Sequence, residues 1–153
     1  MSQSLCNLLV HCVFHKSQSA PMIKIDDQQL LNKYIIEICE KLKCHCLVAN
    51  GPGDHEHILV VLSSNVAVAQ LVKEVKRVST TFLKEHDAAY YLGFHWQSGY
   101  GAFSVSYKHK DAVFQYIMNQ VGHHQKHSSE DEFVALLHSA NIQDYTKEFY
   151  WSE

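Results

Sequence analysis

Asn50, Gly51, Pro52 and Gly53 stand in a row between two apolar runs, Cys44 to Ala49 and Ile58 to Leu62. No other stretch constrains the fold as tightly. Glycine, proline and asparagine each favour turn conformations, so two strand-like runs this close together must fold back as an antiparallel hairpin. The remaining segments fall in order around that hairpin. Leu5 to Phe14 is an apolar, β-branched and aromatic run that reads as strand one. Leu31, Tyr34, Ile35, Ile38 and Leu42 form one helical stripe, for which Asp26 or Asp27 is the expected cap. After strand three, Val68, Leu71, Val72, Val75, Val78 and Phe82 form a second stripe, with Ser64 or Asn65 as its expected cap. Tyr100 to Tyr107 reads as strand four. A third helix is expected over Asp111 to His124, and a fourth is capped by Ser128.

The order is β-α-β-β-α-β, which specifies an α+β, ferredoxin-like antiparallel sheet with added C-terminal helices. Strands one and three are its expected central pair. At 153 residues the chain fits one domain, 1–153, because nothing in it reads as a repeat or a linker. No run approaches the length of a membrane span, and the five cysteines follow no disulfide framework. Both features point to a cytoplasmic protein. The net charge of −3 weighs against a protein that coats nucleic acid non-specifically, while leaving room for a local basic patch.

His55 and His57 begin the second arm of the hairpin. Alternate residues of a strand share a face about 7 Å apart, so the two imidazoles form half of a metal site. On the third helix, Tyr116 and Gln120 are neighbours one turn apart, at the edge of the side defined by Val113, Phe114, Ile117 and Val121. Lys73, Lys76, Arg77 and Lys84 lie outside the apolar stripe of the second helix, and Lys108 and Lys110 follow strand four.

Taken together, these features resemble the single-tyrosine transposases of the HUH endonuclease superfamily, which include insertion-sequence and REP-associated transposases. Gly53 to Leu62, Leu71 to Leu83, Trp96 to Ser106, Val113 to Gln125 and Asp131 to Ile142 carry the likeness, so it covers nearly the whole chain. The resemblance implies that His55, His57 and Gln120 bind a divalent metal, Mg²⁺ or Mn²⁺, and that Tyr116 is the nucleophile. It further implies cleavage and rejoining of single-stranded DNA through a 5′-phosphotyrosine, hairpin recognition at element ends, action on the nucleoid, and a homodimer, often with the tyrosine helix of one subunit serving the histidine pair of the other. Lys76, Arg77, Lys73 and Lys108 are then the DNA-binding candidates, with Lys76 favoured because it falls inside a matching stretch. Two positions depart from the family pattern. Glu56 replaces a usual hydrophobe between the histidines, and Ser17 and Ser19 follow Lys16 where basic residues are common.

Two other readings compete. An RRM-like RNA- or DNA-binding module without catalysis has the same element order, although Ala102 stands where its strand motif requires an aromatic. A structural zinc site from Cys44, Cys46, His55 and His57 lacks the usual knuckle spacing.

Overall fold

The computed structural model describes residues 2–124 and 127–152, with backbone alone at 123 and 124. Four strands, β1 (Leu8–His15), β2 (His45–Asn50), β3 (His55–Leu62) and β4 (Gly101–Ser104), form one antiparallel sheet in the order β2-β3-β1-β4. Strands one and three are therefore the central pair, as the element order requires. Their register sets His15 opposite His55 and Val13 opposite His57. The hairpin turn depends on its glycines. A Cβ on Gly51 would sit 2.0 Å from the His55 carbonyl oxygen, and Gly53 has φ +110°.

Helices α1 (Ile25–Lys41) and α2 (Val68–His86) cover one face of the sheet. Leu31, Ile35, Ile38, Leu71, Val72 and Val75 pack there against Cys12, Phe14, Ile58 and Val60. Cys44 and Cys46 belong to the same core, while His55 and His57 project from the opposite face. Strand alternation thus separates the four residues of the zinc alternative, and they cannot share an ion.

The opposite face is covered by α3 (Lys110–Met118) and α5 (Ser129–Ser139). Ile117 packs on Leu9, Val48 and Leu59, and Phe133 and Leu137 pack on Val13. An RRM keeps its nucleic-acid-binding sheet surface open, and here that surface is closed. Between the two helices lies the short α4 (Gln120–His124), and α6 (Lys147–Tyr150) ends the chain.

Several element ends differ from the sequence expectation. Lys24, not Asp26 or Asp27, precedes α1, and the two acids lie in its first turn beside the positive end of the helix dipole. Asp27 instead accepts a 2.6 Å hydrogen bond from the Tyr91 hydroxyl. Helix α2 starts at Val68 because residues 63–66 form a separate turn, in which Ser63 Oγ accepts from the Asn65 amide. Strand four shortens to Gly101–Ser104, since it pairs only with Val10 to Val13 of β1, and Tyr107–His109 follow as a 3₁₀ turn. The third helix breaks at Asn119. Ser128 does cap α5, accepting from the Asp131 amide.

Glu56 alternates away from the histidines and is fully buried beneath α1. Gln28 Nε2 donates to both of its carboxylate oxygens at 3.2 Å. Burial pushes its carboxyl up to about 8, against the opposing effects of Gln28 and His55. Between the ordinary value of 4.5 and about 8, the folded chain therefore holds a proton that the unfolded chain has released. Stability contributed by this group is complete below the lower value and falls as pH rises through that window. Glu56→Gln is expected to be more stable than the parent at pH 9, with the gap closing toward pH 5. Each pH unit of the window is worth at most about 1.4 kcal/mol. Urea denaturation at the two pH values measures the difference, and a gap independent of pH contradicts it.

Candidate functional site

The two central strands deliver a row of imidazoles to the face beneath α3 and α5. His11 and His15 of β1 lie beside His57 and His55 of β3, with stacked ring centroids 5.1 and 5.0 Å apart. All four are buried. The Nε2 atoms of His55 and His57 lie 3.1 Å apart. Each also faces one oxygen of the Glu132 carboxylate, at 3.0 and 3.1 Å. The other Glu132 oxygen accepts a hydrogen bond from the Tyr116 hydroxyl. One carboxylate thus joins the histidine pair to the tyrosine.

Each participant is held from outside the site. Asn50 Nδ2 on β2 donates to the Ile117 and Met118 carbonyls at 3.0 and 3.2 Å, fixing the end of α3 directly after Tyr116. Glu132 is held by the docking of α5. The ring of Phe133 enters a space left by Gly101, where a Cβ would stand 2.7 Å from it. Tyr150 of α6 packs on the same ring at 4.4 Å and pairs through its hydroxyl with His15 Nδ1 at 2.9 Å. Gln120 is buried one turn after Tyr116, and its amide donates to the Tyr116 carbonyl at 3.3 Å.

The electrostatics follow from these contacts. Burial pulls the His55 imidazole down, but hydrogen bonds to Asp54 and Glu132 more than offset it and raise the group to about 9. Burial, reinforced by His57, lowers His11 to about 3. Burial and the Glu132 carboxylate raise the Tyr116 phenol above its ordinary value, while a hydrogen bond with Gln120 acts the other way. Without a cation, protons must neutralise this cluster of acceptors.

The donor set fits a divalent metal. His55, His57 and Glu132 each present a ligand atom within 4.8 Å of the others, and all three are buried. Two imidazoles and a carboxylate suit Mn²⁺ or another borderline cation better than Mg²⁺, which prefers oxygen throughout.

The expected DNA residues lie elsewhere. Lys76 Nζ donates to the Gln97 and Gly99 carbonyls, both at 2.8 Å, and burial lowers its ammonium to about 8. It ties the 95–100 segment to α2. Together with Lys73, Arg77, His95, Trp96 and Tyr100 it lines an open groove of about 360 Å³. Arg77 is also paired with Glu74. Lys108 sits on the 3₁₀ turn, apart from that groove.

Sequence reasoning missed Glu132, whose place among the acids of the first turn of α5 reads as a response to the helix dipole. It also missed His11. That one was accessible, because pairing β1 with β3 puts alternate residues of both strands on one face.

No curated protein matches the chain. The fold is similar to the crystal structure of a candidate transposase from Deinococcus radiodurans R1, with a TM-score of 0.61 and 17% identity. That superposition covers 78% of this chain and 98% of the other. No helix among the described residues is long and apolar enough to cross a membrane. The sequence of residues 4–120 matches the family described as "Transposase IS200 like", a segment holding both histidines, the tyrosine and Gln120. The chain belongs to the IS200-like transposase family.

Proposed function

We propose that the protein is an HUH-type endonuclease and strand transferase that cuts single-stranded DNA beside hairpins at the ends of a mobile element. One observation carries this reading. The Tyr116 hydroxyl rests on the same buried carboxylate that bridges His55 and His57. His55, His57 and Glu132 would hold a metal there, Mn²⁺ in preference to Mg²⁺, and the Gln120 amide would offer a further oxygen. A cation bound there polarises the scissile phosphate and neutralises the charge that builds on its oxygens.

In the proposed reaction the phenolic O–H breaks and its proton passes to Glu132 Oε2. The Tyr116 oxygen bonds to phosphorus, and the bond from phosphorus to the 3′ oxygen breaks. That oxygen leaves as a hydroxyl, taking a proton from solvent. The 5′-phosphotyrosine conserves the energy of the bond, so a second 3′-hydroxyl can reverse the step and complete transfer. Residues 1–153 act as one unit in the cytoplasm, on the nucleoid. The groove lined by Lys73, Lys76 and Arg77, with Lys108 beyond it, carries DNA backbone. Two copies act together as a homodimer. Helix α3 packs on β2 and β3 of its own chain, which supports a site in which each copy uses its own tyrosine.

Three outcomes test the proposal. Tyr116→Phe should abolish the covalent protein–DNA band on a denaturing gel while retaining DNA binding, and an undiminished band eliminates the nucleophile. His57→Ala should stop cleavage in the presence of Mn²⁺. It should also cost about 1–3 kcal/mol in urea, because His11 and Glu132 each lose a buried partner; full cleavage in a chelator removes the metal from the reaction. Finally, Tyr116→Phe and His57→Ala chains refolded together should recover no activity, since neither copy holds a whole site. Partial recovery would show the tyrosine crossing between subunits.

A further inference from the structure

We infer that Asp54 is a positioning residue that fixes which nitrogen of His55 faces the metal, an assignment resting on His55, His57 and Glu132 as ligands. Asp54 immediately precedes His55 at the exit of the hairpin turn. Its Oδ1 lies 2.7 Å from His55 Nδ1, and its Oδ2 accepts a hydrogen bond from Ser129 Oγ. A carboxylate accepts hydrogen bonds and has no proton to give. The Nδ1 proton of His55 is therefore held against Asp54, and a bound cation would replace only the proton at Nε2, at the point where His57 Nε2 and Glu132 Oε1 converge.

The turn makes Asp54 well suited to this task. The Lys16 amide donates to the Asp54 carbonyl at 2.9 Å, and the Ile23 amide donates to the neighbouring Gly53 carbonyl at 2.9 Å. The backbone under the carboxylate is thus fixed from two sides. The Ser129 contact orients the second oxygen and ties the carboxylate to the first turn of α5, the helix that carries Glu132. His57 Nδ1 is held differently, by His11 Nε2 at 2.8 Å. A carboxylate behind one ligand makes that imidazole the more basic of the two, and such outer partners govern metal affinity.

Titration calorimetry with MnCl₂ alone, on the full chain, tests the assignment without DNA or turnover. Asp54→Ala should weaken Mn²⁺ binding about 10- to 100-fold. Asp54→Asn keeps the shape and one acceptor but loses the charge, so it should fall between Asp54→Ala and the parent. Ser129→Ala removes only the link to α5 and should stay within about twofold of the parent, because the imidazole keeps its partner. Circular dichroism confirms the fold of each variant, and if Asp54→Ala does not fold, Asp54→Asn carries the test. Parent-like affinity in the Asp54 variants overturns the inference. So does a Ser129→Ala loss equal to that of Asp54→Ala, since Asp54 would then serve only to anchor the helix. A parent chain that takes up no Mn²⁺ removes the metal reading itself, a result separate from any difference among variants.

Discussion

The Glu132 carboxylate is the contact on which the rest of this architecture depends. It lies beneath a helix, yet both imidazoles and the tyrosine hydroxyl point at it. Burying a carboxylate is costly unless partners replace its water, and those partners come from β3 and α3. The sheet, the tyrosine helix and α5 must therefore all be in place before any one of them is fully satisfied. Apolar packing makes that assembly possible. Phe133 and Leu137 on Val13, and Ile117 on Leu59, bring the two helices down on the sheet. Not every polar group gains a partner. His15 Nε2 has none among the described residues, a deficit of about 1–3 kcal/mol that the surrounding aromatic packing must outweigh.

The sheet separates two chemistries by alternation alone. On β3, His55 and His57 face the site, while Glu56 between them faces α1 and is kept company by Gln28. Cysteines at positions 12, 39, 44 and 46 fill the α1 and α2 side as small apolar residues. Burial, with Cys39 and Cys44 nearby, pushes the Cys12 thiol up to about 12, which keeps it an unreactive packing group. A one-residue slip in the pairing of β2 and β3, whose register the glycine turn sets, would exchange these faces. The hairpin glycines therefore bear on the chemistry as well as on the fold.

The fold was legible from the sequence because its signals are local: helical stripes, a dense turn and four apolar runs. The element order, the central strand pair and the opposite orientation of Glu56 all follow from period and sequence order. Element ends were harder to place, since Asp27 answers to Tyr91 across the fold instead of capping its own helix. The same limit applied at the site. His55, His57 and Tyr116 stood out through spacing and resemblance. Glu132 did not, because its sequence neighbours are acids that look solvated, and only the docking of Phe133 turns it inward. The surroundings of Lys76 were equally hidden. Lys76 reads as a free cation on a helix face, but two carbonyls hold its ammonium.

The family match ends at Gln120, and Glu132 lies twelve residues further on. The site is thus assembled from two parts of the chain with different roles. The matched segment contributes the imidazole nitrogens, the Gln120 amide and the tyrosine. Helix α5 contributes the negative charge. In the proposed metal site a carboxylate at that position would add affinity for a cation beyond that of two imidazoles and an amide, and it also offers the phenol an acceptor at hydrogen-bond range. Both effects require α5 to be seated, which depends on Gly101 leaving room for Phe133. The charge of the site is therefore controlled by the packing of one helix, whose apolar contacts lie on β1 and β4 and whose polar contacts lie at the start of β3.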